Sequence, residues 1–101
     1  MVYPYQGQYL YNKDTVSGWN STAVGVYYCG LVTTTGLRPL YIGAGAGDVG
    51  MRGRLLDHLQ EDYWPDVTHF GYHQCDTAEE AKNWEAQEIQ KYRPKYNTQG
   101  K

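Results

Sequence analysis

An arginine and a histidine, four residues apart in the first helical segment, are the first candidates for chemistry in this chain. At about 100° per residue, Arg54 and His58 lie one turn apart on one helix face, whereas Arg52 falls in the apolar stripe or precedes the helix. Arg54 and His58 therefore point the same way, as two members of one site would. The competing interpretation is a solvated arginine beside a surface histidine.

A carboxylate in the second helical segment is the next candidate. On a helical wheel, Glu85 lies within the apolar stripe between Ile89 and Tyr92, and Glu88 lies near that stripe as the second choice. Burying a carboxylate without a partner is energetically costly, so Glu85 is expected to meet a cation, a metal ion or strong hydrogen-bond donors. A structural ion pair is the alternative explanation.

Two short apolar runs place a pair of tyrosines close together. Gly25-Val26-Tyr27 and Tyr41-Ile42-Gly43 lie in runs rich in Val, Tyr, Leu and Ile, and the polar segment TTTGLR separates them. This pattern predicts a β-hairpin with strands over 23–32 and 39–42. Such a hairpin would bring the phenols of Tyr27 and Tyr41 together.

The elements that must position these residues form a predicted α+β domain of order β-β-α-β-α, with a small three-stranded, mainly antiparallel sheet flanked by helices. The first helix carries leucines at helical spacing and is expected to end before Trp64. A third strand is predicted over 67–75. The second helix is expected to begin at the capping-box pattern Thr77-Ala-Glu-Glu80 and to end before Pro94, because proline disfavours helical geometry in the residue before it.

Length and composition fit one globular domain. The chain has 101 residues, 41% of them hydrophobic and 20% charged, and no apolar run approaches the roughly 20 residues of a membrane span. The N-terminus lacks the features of a signal peptide, so a cytoplasmic protein is expected. Cys29 and Cys75 lack metal or redox spacing and are expected to be free, half-buried strand residues. Residues 1–22 are aromatic and polar without periodicity, and they are interpreted as an extension of a domain over 23–101.

Charge is unevenly distributed along the chain. The formal net charge of −2 speaks against a polyanionic partner, yet the last eleven residues are basic and contain no acid; their cations are Lys91, Arg93, Lys95 and Lys101. This segment is expected either to contact phosphate or to be a solvated C-terminus. The chain also has 11 tyrosines, which suit a polar binding surface because a tyrosine covers apolar area and keeps a hydroxyl for hydrogen bonds.

Taken in order, these motifs resemble the GIY-YIG family of nuclease domains. Gly25-Val26-Tyr27 stands at the first motif of the family, with Val in place of Ile, and Tyr41-Ile42-Gly43 matches the second. The segment RLLDH matches the Arg-x-x-x-His/Tyr pattern of the following helix. The segment AEEAKNWEAQEIQKYRPKYN resembles the last helix of the family and places Glu85 and Asn97. The resemblance covers roughly residues 23–98.

The resemblance implies a metal-dependent DNA endonuclease, a hydrolase of phosphodiester bonds. It implies that Glu85 holds one Mg²⁺ or Mn²⁺ ion and that Arg54 neutralises the pentacovalent phosphate. Tyr27, with Tyr41 and His58 beside it, would position or deprotonate the water. Because the pKa of an unperturbed tyrosine is about 10, positive charge from Arg54 and from the metal ion is expected to lower the pKa of Tyr27.

The same resemblance assigns structural roles near the site to two glycines and an asparagine. Gly25 and Gly43 belong to the two strand motifs, and Asn97 is expected to hold the end of the chain against the site. The segment between Gly43 and Arg54 is a few residues longer than is usual in the family, which leaves Arg52 open as the alternative arginine.

Two other functions are open alternatives. One is a nucleic-acid-binding module that keeps the fold and has lost catalysis. The other is a nucleotide-binding domain, since GAGDVG over 45–50 is a G-x-G-x-x-G sequence between a strand and a helix, although the chain is short for a doubly wound sheet. No separate DNA-reading element is visible, so targeting by a protein partner or an extra subunit is open. The N-terminal aromatic residues would either stack on bases or cover a sheet edge.

Overall fold

A four-stranded antiparallel sheet forms the centre of the fold, in a computed structural model that describes residues 1–19, 22–61 and 64–98. In chain order the elements are β1 (Gln6–Leu10), α1 (Lys13–Gly18), β2 (Gly25–Thr33), β3 (Gly36–Gly45), α2 (Gly50–Glu61), β4 (His69–Gln74), α3 (Ala78–Tyr92) and α4 (Lys95–Thr98). The strands are arranged in the order β1-β4-β2-β3. The predicted α+β class is confirmed, whereas the predicted three strands are one too few.

The additional strand comes from the segment that was interpreted as an extension. β1 pairs antiparallel with β4, with Tyr9 opposite Phe70, and the side chain of Val16 in α1 is fully buried in the core. The N-terminal residues therefore cover a sheet edge, which was one of the two expectations for them. All five residues of β1 are exposed, so the strand has no alternation of apolar and polar residues that would reveal it in the sequence.

The predicted hairpin is confirmed and is longer than expected. β2 and β3 pair antiparallel over almost their whole length, with Tyr27 opposite Gly43, Cys29 opposite Tyr41 and a register shift after Cys29. The turn between them ends at Gly36, whose φ of 125° lies in a region that favours glycine.

The helix boundaries follow the local signals. α2 ends before Trp64, and the Thr77 side chain accepts a hydrogen bond from the Glu80 amide at 3.1 Å at the start of α3. The carboxylate of Glu80 accepts from the Asp76 amide at 3.0 Å, one residue earlier than the usual capping box. Arg93 leaves the helix in a left-handed conformation with a φ of 46°, directly before Pro94.

The two long helices cover opposite faces of the sheet. The α2 face carries a core cluster that includes Tyr27, Tyr41 and Leu55, and the α3 face carries one that includes Tyr28 and Ala81. Successive strand residues point to opposite faces, so the neighbours Tyr27 and Tyr28 are separated by the sheet. Both cysteines are free, as predicted, but the predicted half-burial is wrong, because both are buried in the core. Within the described residues, no helix has the length and apolar character needed to cross a membrane.

Candidate active site

A buried tyrosine and histidine form the centre of the candidate site. The hydroxyl of Tyr27 on β2 lies 2.9 Å from Nε2 of His58 on α2, within hydrogen-bond distance. Tyr27 is fully buried and His58 is only 8% exposed. The surface histidine of the competing interpretation is therefore wrong, because α2 turns His58 towards the sheet.

Two further rings surround this pair. The ring of Tyr41 lies 6.2 Å from that of Tyr27 and 5.2 Å from that of His58, which confirms that the hairpin brings the two motif tyrosines together. The ring of Trp64 lies 4.5 Å from Tyr41, in a stacked arrangement, and 4.5 Å from His58. In the sequence Trp64 is only a signal for the end of a helix. Its place beside Tyr41 and His58 depends on tertiary packing.

The two arginines of α2 have different surroundings. The exposed Arg54 lies close enough to Tyr27 for its positive charge to act on the phenol and lower its pKa. Arg52 points towards the N-terminal segment, where its Nη2 donates to the carbonyl of Ser17 at 3.1 Å. The geometry therefore associates Arg54, and not Arg52, with the tyrosines.

Burial decides the protonation state of Tyr27. Desolvation raises the pKa of the Tyr27 phenol above its ordinary value of 10.0, and the neighbouring Tyr41 and Cys29 raise it further. Arg54 lowers the pKa, as expected, but its effect is smaller than that of burial. Without a metal ion Tyr27 carries its proton at neutral pH, and the lowering expected from Arg54 together with a metal ion stays a prediction.

The motif glycines are explained by close approaches in the sheet. A Cβ atom built on Gly43 would lie 2.5 Å from the Tyr27 hydroxyl and 2.9 Å from a ring carbon of Tyr41. A Cβ atom on Gly25 would lie 2.2 Å from the backbone oxygen of His73 on the neighbouring strand. Both positions therefore require a residue without a side chain.

Asn97 on α4 fixes the edge strand that carries Tyr41. Its Oδ1 accepts a hydrogen bond from the Ile42 amide at 2.8 Å, and its Nδ2 donates to the Ile42 carbonyl at 2.9 Å. These paired bonds replace the partner strand that an edge strand lacks. The side chain thus holds the end of the described chain against β3, beside the site.

The carboxylates of α3 are arranged differently from the helical-wheel prediction. Glu88 is the buried one, at 9% exposure, and its Oε1 accepts a hydrogen bond from the Tyr28 hydroxyl at 2.6 Å. Glu85 is only half-buried, so the prediction that it occupies the middle of the buried stripe is wrong. The rotation of α3 is set by the packing of Ala81 and by the hydroxyl that Tyr28 offers to Glu88, neither of which a helical wheel contains.

Three of the four cations of the predicted phosphate-contacting segment are exposed at the end of α3 and the start of α4. The ammonium of Lys91 lies 5.0 Å from the centre of the Tyr92 ring. The ammonium of Lys95 lies 3.5 Å from a carboxylate oxygen of Asp66, which partly offsets its charge. Arg93 occupies the left-handed position between the two helices. Lys101, the last predicted cation, lies outside the described residues.

A divalent ion fits Glu85 only as a shared ligand. Among the residues that the structure describes, no three His, Cys, Asp or Glu side chains are grouped to hold a metal ion. Mg²⁺ does not require such a group, since it keeps several waters and commonly binds one or two carboxylates together with substrate phosphates. The half-buried carboxylate of Glu85 is compatible with that type of binding.

Comparison of the chain with models of protein families, with curated proteins and with solved structures finds no match. The resemblance to GIY-YIG nucleases therefore stays a prediction from the motifs. What the structure adds is a cluster of Tyr27, Tyr41, Arg54 and His58 on one face of the sheet, built from three elements.

Proposed function

We propose that this protein is a cytoplasmic, metal-dependent endonuclease of the GIY-YIG type that hydrolyses phosphodiester bonds of DNA. The observation that carries the proposal is the hydrogen bond between Tyr27 and His58, with the guanidinium of Arg54 acting on the same phenol. A buried tyrosine–histidine pair alone would serve as core packing. An exposed arginine beside that pair supplies a cation that is open to an anionic substrate.

Arg54 has the position and the charge to bind the scissile phosphate. Its guanidinium is exposed to solvent and offers several donors in a fixed plane, which suit phosphate oxygens. Negative charge grows on the non-bridging oxygens as a water attacks, so a cation placed there in advance stabilises the transition state.

Tyr27 and His58 suit the transfer of a proton from the attacking water. With Nε2 of a neutral His58 accepting the Tyr27 proton, the phenol oxygen is able to take a proton from the water at the same time. The water then becomes the nucleophile without the formation of a free phenolate, whose cost burial makes high. The rings of Tyr41 and Trp64 hold the imidazole in place and exclude bulk water from it.

Glu85 is the proposed ligand of a Mg²⁺ or Mn²⁺ ion. Glu85 belongs to α3, the helix on the sheet face opposite to the tyrosine cluster, so the ion would form a separate part of the site. When bound, the ion would stabilise negative charge on the leaving oxygen. Glu88 is the second candidate, and one of its oxygens accepts a hydrogen bond from the Tyr28 hydroxyl.

The surface around the site offers contacts for DNA. Tyr72 on β4 lies directly opposite Tyr27, and its ring stacks on Trp19 at 4.6 Å, so a patch of aromatic rings continues from the site along the same face. Aromatic rings of this kind stack on unpaired bases. Lys91, Arg93 and Lys95 are proposed to contact phosphates. A protein partner or an extra subunit is proposed to supply sequence targeting.

A non-catalytic DNA-binding module of the same fold is the second candidate, favoured by the burial of Tyr27, which raises the pKa of its phenol. A dinucleotide-binding domain has less support. The G-x-G-x-x-G loop joins β3 to α2, but the described sheet is antiparallel, whereas the dinucleotide fold requires parallel strands on either side of the helix.

The proposal is tested by incubating the purified protein with supercoiled, linear, branched and single-stranded DNA in Mg²⁺, Mn²⁺ or EDTA. We expect cleavage of at least one of these substrates with either metal and none in EDTA. The variant Glu85→Gln should lose the metal-dependent cleavage and keep DNA binding, and its thermal melting should stay near that of the wild type. Binding without cleavage of any substrate would support the non-catalytic module.

A further inference from the structure

A second cavity lies on the α3 face, separated by the sheet from the tyrosine–histidine cluster. Its volume is about 410 Å³, and its wall includes Tyr5, Tyr28, His73, Glu88 and Tyr92. Cavities of a few hundred cubic ångströms hold small organic ligands. Four of these residues have no part in the proposed hydrolysis, and Glu88 is only the second candidate for its metal ligand.

The carboxylate of Glu88 is the unusual feature of this cavity. Glu88 is only 9% exposed. Within the described residues its one hydrogen bond comes from the Tyr28 hydroxyl, which donates to Oε1. No salt bridge joins it to a basic group in the described part of the chain. A buried carboxylate is normally paired with a cation, so Glu88 has an acceptor oxygen and a charge that are left for a ligand.

The position of the carboxylate is fixed by its neighbours. Trp84 donates its indole N–H to the Tyr28 oxygen at 3.0 Å, which leaves the hydroxyl proton of Tyr28 for Glu88. Nδ1 of His73 donates to the backbone oxygen of Tyr3 at 2.8 Å, so the imidazole is held as well. A site whose polar groups are held in this way binds a ligand without the cost of ordering them.

Aromatic rings surround the carboxylate. Tyr5 meets Tyr28 at 5.9 Å and His73 at 5.5 Å between ring centres, both edge to face, and Tyr28 meets His73 at 5.7 Å. Tyr92 is 46% exposed at the entrance. The faces of aromatic rings attract cations, and organic ammonium groups are recognised by this combination of rings and negative charge.

We propose that this cavity binds a small primary alkylammonium compound, with the ammonium at the free side of the Glu88 carboxylate and the alkyl chain against the tyrosine rings. A divalent metal ion fits less well, because Glu88 is the single carboxylate in the wall and such ions need more oxygen ligands. A neutral alcohol would lack both the ion pair and the attraction to the rings.

The proposal is tested by NMR titration of the ¹⁵N-labelled full chain with n-butylammonium, n-butanol and Mg²⁺. We expect saturable shifts at the amides around Tyr28, His73 and Glu88 with n-butylammonium, at least about tenfold weaker binding of n-butanol, and no displacement of the amine by Mg²⁺ at equal concentration. Equal binding of the alcohol, displacement by Mg²⁺, or no saturable shift with the amine would overturn it.

The variant Glu88→Gln isolates the charge with little change in shape, and the exposed Glu79→Gln on the same helix is its matched control. We expect amine binding to weaken about tenfold or more in Glu88→Gln and to be unchanged in Glu79→Gln. Unchanged binding in Glu88→Gln overturns the proposal. If Glu88→Gln does not fold, Tyr92→Ala at the exposed entrance replaces it: binding should weaken severalfold, and unchanged binding counts against the site.

Discussion

Tyr27 and Tyr28 are neighbours in sequence, yet they lie on opposite faces of the sheet and donate or accept hydrogen bonds in different surroundings. Tyr27 faces α2 and contacts the imidazole of His58 at 2.9 Å, whereas Tyr28 faces α3 and donates to the carboxylate of Glu88 at 2.6 Å. Burial raises the pKa of both phenols, but the charges beside them differ in sign. Arg54 lowers the pKa of Tyr27, and Glu88 raises that of Tyr28.

This difference separates the proposed roles of the two faces. A phenol between a neutral base and a cation is able to pass on a proton while a substrate anion binds to the cation. A phenol that donates to an anion has its proton committed, and it serves to hold that anion in position. The α2 face therefore suits a reaction on an anionic substrate, and the α3 face suits the binding of a cation.

The largest expected effect is that of removing the cation from the α2 face. Arg54→Ala should lower the rate of DNA cleavage about 100-fold or more with the fold intact, because the transition state loses its charge stabilisation. Arg52→Ala is the matched control, since Arg52 bonds to Ser17 on α1, and it should cost much less. Single-turnover cleavage rates and circular dichroism provide the measurements. If Arg52→Ala is the inactive variant, Arg52 and not Arg54 is the arginine of the proposed site.

Removing one hydroxyl at a time tests the comparison directly. Tyr27→Phe should lower the cleavage rate by a factor of about 100 or more, because the proton path from water to His58 is interrupted. Tyr28→Phe should keep cleavage and lose about 1–3 kcal/mol of the free energy of unfolding, since Glu88 loses its donor. Cleavage assays and urea unfolding of the two variants measure this. Equal loss of cleavage in both would remove the distinction between the faces.

Alanine substitutions at two glycines test how closely β3 approaches the rings of Tyr27 and Tyr41. Gly43→Ala places a methyl group against the Tyr27 hydroxyl and the Tyr41 ring and should cost about 1–3 kcal/mol of stability, together with most of the cleavage activity. Gly47→Ala is the matched control, because a Cβ atom there meets nothing within 4 Å. Thermal and urea unfolding compare the two. A neutral Gly43→Ala would mean that the tyrosines do not approach β3 as closely as described.

The smallest expected effect is on the pH dependence of the free energy of unfolding, to which Tyr27 and Tyr28 should contribute alike. Their folded-state pKa values are raised above 10.0, so above that pH the unfolded chain releases protons that the folded chain keeps. Their contribution to stability is therefore complete below pH 10 and is lost as pH rises towards the folded-state values. Each should contribute a slope of about −1.4 kcal/mol per pH unit, which Tyr27→Phe or Tyr28→Phe removes. Urea unfolding from about pH 8 to about pH 11.5, on both sides of the ordinary tyrosine pKa, measures the slopes. Unchanged slopes in both variants would contradict the described burial.

Local patterns in the sequence were sufficient to predict much of the fold. The hairpin follows from two β-rich runs around a turn, and the limits of α3 follow from Thr77 and Pro94, because these signals act within a few residues. β1 escaped prediction because its residues are all exposed and its strand character depends on pairing with β4. Motif spacing placed Arg54 and His58 on one helix face, and the structure brings both to Tyr27.

The tertiary structure decided which side chains of the site are buried and which groups they contact. The sequence by itself determined the motif order, the helix faces and the residue types of the candidate site, since these depend on local geometry. The hydrogen-bond partner of Tyr27 is 31 residues away in sequence, and that of Tyr28 is 60 residues away. Only packing therefore decided that His58 is buried and that Glu88, rather than Glu85, is the buried carboxylate. Packing also places the Trp64 ring against Tyr41, beside the site. Because a pKa depends on the water that packing removes and on the charges it brings near, the net rise in the pKa of Tyr27 also appears only in the folded molecule.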